Sequence, residues 1–177
     1  MKTYIVLLRG INVSGQKKIK MAALRNSLKQ RGLEQLETYI QSGNIVCKTK
    51  EIDSEAIEKL VHEAILKDFG FDVPTLVLLK EELEGILKHS PYLSEEEKSQ
   101  YFVFLKQTPN AERIEDFNKL SFDHEDFHIT TDCVYLCCKA GYGKAKLSNN
   151  LVERKLQVSA TARNLKTVRK LLELCEA

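Results

Sequence analysis

No run of apolar residues approaches the ~18 needed to span a bilayer, so a membrane-crossing helix is excluded. The apolar start of the chain is broken at Arg9 and Gly10 and is followed by no small-residue cleavage site, so it reads as a strand rather than a secretory signal. No CxxC pair occurs among the five cysteines, Cys47, Cys133, Cys137, Cys138 and Cys175. An odd count without that spacing suggests neither a disulfide framework nor a zinc ribbon. Set among apolar neighbours such as Ile45-Val46 and Val134-Tyr135-Leu136, these residues read as small hydrophobes in a reducing, cytoplasmic compartment. None has a histidine beside it, so a catalytic thiol lacks its activating cation.

Acidic residues are missing from the first 33 positions, where eight lysines and arginines stand alone. Residues 139–177 carry nine basic side chains against three acidic, whereas residues 34–138 carry ten basic against 22 acidic. The net charge of +2 therefore hides two basic ends around an acidic centre. Such asymmetry bears on partners rather than on fold.

What is present is ordinary for a soluble globular chain: 177 residues, 43% hydrophobic and 29% charged. That length makes one large domain or two small fused ones, with a core that needs no covalent staples. The apolar, β-branched run 4–11 predicts a buried strand. Residues 21–31 repeat apolar side chains at helical spacing and stop at Gly32, with Leu33 placed for a Schellman contact. Residues 36–42 and 44–48 flank Gly43 as a hairpin. A helix over 53–69 stops at Gly70, and 74–79 is again apolar. This βαββαβ order is that of a ferredoxin-like unit.

The order then recurs. A helix at 81–89 and a Ser94-x-x-Glu97 capping box form a linker. Strand 101–106 leads to a helix opened by Thr108-Pro109. Strands at 126–131 and 133–139, a helix at 148–156, a strand at 158–162 and a terminal helix at 164–174 complete the set. The fold class expected is α+β, with two tandem ferredoxin-like halves and antiparallel sheets. The halves fall at residues 1–80 and 101–177, joined by a helical linker at 81–100 into one compact unit.

Several tempting motifs fail on inspection. A phosphate-binding loop needs Lys at 16 and Ser or Thr at 17, where this chain has Gln16 and Lys17. Ser14-x-x-Lys17 has acylase spacing without that class's length or fold. His124 and His128 lie in a loop-to-strand stretch that does not put both imidazoles on one face, so no metal is assigned. Asn44-Ile45-Val46-Cys47 lacks the aromatics of an RNA-recognition strand.

The segments LLRGINVSG (7–15), KIKM (18–21), YIQSGN (39–44), GYGKAKLSNN (141–150), VERKL (152–156) and ATARN (160–164) resemble the hallmarks of the bacterial domain-of-unknown-function family 1697. Ser14 stands where that family usually has glycine, and Leu165 where it usually has tryptophan. The resemblance implies a double ferredoxin-like fold and no reaction.

These motifs share polar side chains with glycine at strand ends. Backbone amides around Gly10 and Gly15, with Lys17 and Lys18, have the chemistry to hold an anion near the first helix. The turn Gly141-Tyr142-Gly143-Lys144 offers the same before a second helix. The expected ligand-binding set is Arg9, Asn12, Lys17, Tyr39, Gln41, Asn44, Lys144, Asn149, Arg163 and Asn164. Arginine and lysine would hold the anion, amides would orient it, and Tyr39 would offer a hydroxyl. No general-base histidine or paired carboxylate stands among them, so no catalytic residue and no cofactor are assigned. The best expectation is an anionic, phosphate-bearing small-molecule ligand. The alternatives are a nucleic acid and a protein partner docked through the charge asymmetry; no membrane partner is expected.

Overall fold

Tyr4 through Leu8 are all buried in the first strand, β1 (Lys2–Leu8), as its unbroken apolar run demands. The computed structural model describes residues 1–50 and 53–177. It divides the chain into two compact units, Met1–Gly85 with Arg169–Ala177, and Ile86–Val168.

In the first unit β1 is followed by α1 (Met21–Lys29), β2 (Glu34–Tyr39), β3 (Asn44–Thr49), α2 (Ser54–Phe69), β4 (Thr75–Leu79) and the first part of α3 (Lys80–Lys88). The sheet is antiparallel in the order β2-β3-β1-β4, with Tyr4 opposite both Cys47 and Leu79. Period-two alternation sends Tyr4, Val6, Leu8, Ile45, Cys47 and Val77 to one core, which Leu24 and Leu28 of α1 and Ile57, Val61 and Ile65 of α2 complete. Fully burying each such aliphatic side chain is worth about 1.5–3 kcal/mol. The expected Schellman ending is present: Gly32 takes φ +91° and the Leu33 amide donates to the Leu28 carbonyl at 3.3 Å. Asp53 caps α2 by accepting from the Glu55 amide at 3.0 Å, and Gly70 ends it at φ +75°.

The second unit repeats the arrangement with β5 (Gln100–Leu105), α4 (Ala111–Asn118), β6 (Glu125–Ile129), β7 (Cys133–Cys138), α5 (Asn149–Leu156) and β8 (Ala160–Asn164). Its sheet order is β6-β7-β5-β8, the same as the first once renumbered. Val103, Leu105, Val134, Leu136, Phe117, Val152 and Leu156 form its core. The molecule is thus α+β, with two antiparallel four-stranded sheets consistent with tandem ferredoxin-like units. The terminal helix, α6 (Leu165–Glu176), follows β8 directly. No helix among the described residues is long and apolar enough to cross a membrane.

Three local expectations are corrected. Ser94 opens no α-helix; only a single 3-10 turn, Glu97–Ser99, fits before β5 begins at Gln100. The cap of α4 is Asn110, whose side chain accepts from the Glu112 amide at 2.8 Å, and not Thr108. A proline at 109 pushes Thr108 to extended backbone, two residues too early to serve the helix. The closing strand starts at Ala160 rather than 158, because Gln157 ends α5 in the left-handed region at φ +55°.

Candidate functional site

The two N-terminal motifs interlock. Leu8 donates its amide to the Gly43 carbonyl at 2.8 Å, and Arg9 donates its own to Pro74 at 3.0 Å. Gly43 has φ +85°, and a Cβ placed there would lie 2.5 Å from the Leu8 Cβ. No other residue type allows the hairpin to press this closely on β1. Asn12 stitches the loop to the hairpin: its Oδ1 accepts from the Ile19 amide at 2.8 Å, while its Nδ2 donates to the carbonyls of Ile19 (3.0 Å) and Gln41 (2.7 Å). Asn44, fully buried, donates to the Tyr39 carbonyl at 3.1 Å and the Ser42 hydroxyl at 2.9 Å.

The loop between β1 and α1 is rich in left-handed backbone. Gly10, Asn12, Ser14, Gly15 and Lys17 all have positive φ. Ser14-Gly15 form the centre of a mirror-image type I′ turn closed by the Gln16 amide on the Val13 carbonyl at 2.9 Å, and the Asn12 amide donates to the Lys17 carbonyl at 3.1 Å. The ammonium of Lys17 donates to the Asp72 carbonyl. Asp72 also meets Nε2 of His62 at 2.6 Å, and that hydrogen bond, with the imidazole's charge, lowers the carboxyl's pKa. Six of the expected residues, Arg9, Asn12, Lys17, Tyr39, Gln41 and Asn44, therefore share one end of the first sheet, around the end of β1 and the β2–β3 hairpin.

Behind this loop α1 begins without help. Lys20 occupies its cap position with no side-chain hydrogen bond, and no acidic residue stands in its first turn. The orphan amides and the positive end of the helix dipole thus remain unserved by any side chain.

The remaining four residues lie in the second unit, where Asn149, Arg163 and Asn164 make hydrogen bonds within the protein. The second glycine–lysine turn already holds an anion, because the Glu125 carboxylate accepts from the amides of Lys146 (3.1 Å) and Leu147 (2.7 Å). Ser148 caps α5 through the Leu151 amide, and the Tyr142 hydroxyl accepts from the Asn149 amide at 3.1 Å. The Asn149 side chain ties Glu153 to the Ala160 carbonyl. Asn164 caps α6 by accepting from the Thr167 amide at 2.8 Å. Arg163 is buried, donates to the Thr161 hydroxyl and the Ala162 carbonyl at 2.8 Å each, and is pushed by desolvation to a pKa of about 10. Lys144 stays exposed on its 3-10 turn.

The family model described as a protein of unknown function, DUF1697, matches residues 1–135. The chain belongs to this family. It is also similar to the solved structure of the conserved bacterial protein SP0830 from Streptococcus pneumoniae, with 25% identity, a TM-score of 0.79 and coverage of 98% of each chain. No relative among curated proteins matches. LLRGIN and YIQSGN are the halves of one interlocked corner in this chain. Nothing in the local pattern announces the Glu125 contact, since that carboxylate lies more than 20 residues from the amides it serves. The uncapped start of α1 was legible, because Lys20 and the absence of acid are visible in the chain itself.

Proposed function

We propose that this DUF1697 protein binds a phosphate-bearing anion at the loop end of its first unit. The observation that carries the reading is the start of α1, which has neither a side-chain cap nor an acidic first turn and follows directly on Lys17, Lys18 and Lys20. The described helices α2, α4, α5 and α6, by contrast, are served by Asp53, Asn110, Ser148 and Asn164. An anion seated on the amides of α1 gains from the helix dipole and the adjoining ammonium groups. Within this reading Arg9 and Lys17 supply charge, Tyr39 and Gln41 line the rim, and Asn12 and Asn44 hold the loops in place. The second basic segment is peripheral to it, because Glu125 occupies the equivalent seat there. Five buried thiols, none of them in a disulfide, support a reducing cytoplasmic setting, and the bacterial structural neighbour supports a bacterial source.

The test substitutes a competing carboxylate. Ala23 is exposed in the first turn of α1. Ala23→Glu should stabilise the helix by about 0.3–1 kcal/mol through the dipole while repelling an anion. Thermal melts of the wild type with pyrophosphate and nucleoside triphosphates at low salt are expected to show a rise in Tm that Ala23→Glu loses. The absence of any phosphate-dependent rise in the wild type would overturn the proposal.

A further inference from the structure

We infer that the anion is the sugar–phosphate backbone of a double-stranded nucleic acid, lying along the exposed face of α1; this rests on the anion-binding reading above. That helix differs from every other α-helix among the described residues in carrying no acidic residue. Lysines elsewhere are commonly paired with carboxylates, as in Lys59–Glu63, Lys80–Glu176, Lys119–Asp116, Lys139–Asp126 and Lys170–Glu173. Along α1 and its approach, the exposed Lys18, Lys20 and Lys29 form no ion pair among the described residues. Three other cations are not part of this track: Lys17 is turned to the Asp72 carbonyl, Arg25 donates to the Thr38 hydroxyl and Arg31 is paired with Asp68.

The geometry favours a line of phosphates over a single one. From Lys20 to Lys29 the helix rises about 13 Å, which matches roughly four steps of a strand carrying one phosphate per ~3.4 Å of axis. Between the cations the exposed residues are Ala22, Ala23 and Asn26, short enough for a backbone to approach closely. Binding of single strands depends on aromatic platforms for the bases. Among the described residues the exposed large hydrophobic ones are Met1, Val13, Ile40, Leu66 and Leu93, none of them aromatic. Contact through phosphates alone suits a duplex read without regard to sequence.

The test measures fluorescence anisotropy of the full chain with a labelled DNA or RNA duplex, the matching single strand, and heparin, with pyrophosphate binding followed by calorimetry. Three cations predict that duplex affinity falls about 40-fold between about 50 and about 200 mM salt. Asn26→Glu, an exposed substitution in mid-helix, should weaken duplex binding about 10-fold and leave pyrophosphate binding unchanged. A duplex bound no better than the single strand or heparin overturns the inference, as does a duplex affinity indifferent to Asn26→Glu. If pyrophosphate still binds in those cases, the small-anion reading stands alone. If neither pyrophosphate nor duplex binds, both fall.

Discussion

Gly43 and Ile40, three residues apart in one hairpin, are under opposite pressures. Gly43 combines a positive φ with a Cβ position 2.5 Å from the Leu8 Cβ. Gly43→Ala is therefore expected to cost about 2–4 kcal/mol in denaturant unfolding, through strain and overpacking together. Gly32→Ala supplies the control: it has φ +91° but nothing within 4 Å of the new Cβ, so only the backbone cost of about 1 kcal/mol applies. Ile40 has φ +52°, a region hostile to β-branched residues, yet its side chain is half exposed. Ile40→Asn should raise stability by about 1 kcal/mol, since asparagine tolerates the left-handed region and little apolar burial is lost. An unchanged or lowered unfolding midpoint would show that the isoleucine repays its strain by packing. The chain itself marks this hairpin, because Gly43-Asn44 between two strand-like runs is turn chemistry. The contact with Leu8 that makes the glycine obligatory is invisible there, as it joins residues 35 positions apart.

Among the elements, α1 and α2 are clamped by one carboxylate. Asp68 accepts from both guanidinium nitrogens of Arg31 at 2.8 and 3.0 Å and from the Ser27 hydroxyl at 2.6 Å. The Arg31 hydrogen bond first, then Ser27, lower the Asp68 pKa below its ordinary 3.8. A lowered carboxyl pKa stabilises the fold above the unfolded-state value and loses that contribution as pH falls through the folded-state value. Stability should therefore decline below about pH 4, and Asp68→Asn should flatten that part of the profile. Thermal melts across the acid range measure the difference; equal slopes for the two proteins would remove Asp68 from the account. Helices were the most legible elements, since apolar spacing of 3.6 residues needs no distant information. Their caps were less so: Asn110 displaced Thr108 because a helix start depends on local backbone geometry that proline reshapes. The tight fit between linker and strand left Ser94 with no α-helix to cap.

For the whole molecule, the cysteines report on folding. All five are buried as free thiols. Burial raises the pKa of Cys47 and Cys138 to about 12 and of Cys175 to about 11. A disulfide-exchange reagent near pH 8 should find no reactive thiol in the native protein and five after denaturation. Rapid labelling of one thiol in the native state would reveal local opening around it. Because these thiols ionise more readily when unfolded, stability is expected to erode as pH climbs from the ordinary thiol value of 9.0 towards about 12.

The order of strands and helices, and its repetition, followed from the chain alone, because hydrophobic periodicity is a local property that each segment carries wherever it sits. The motifs likewise announced a family. Which polar residues remain available to a ligand was decided only by the tertiary structure. Asn12, Asn44, Asn149 and Asn164 looked like ligand-orienting amides, and each is bonded to a backbone group of the protein. The turn around Lys144 looked like an anion seat, and Glu125 fills it. A side chain's capacity for hydrogen bonding is written in its chemistry. Its partner, a carbonyl or amide that every residue carries alike, is chosen only when folding brings distant segments together.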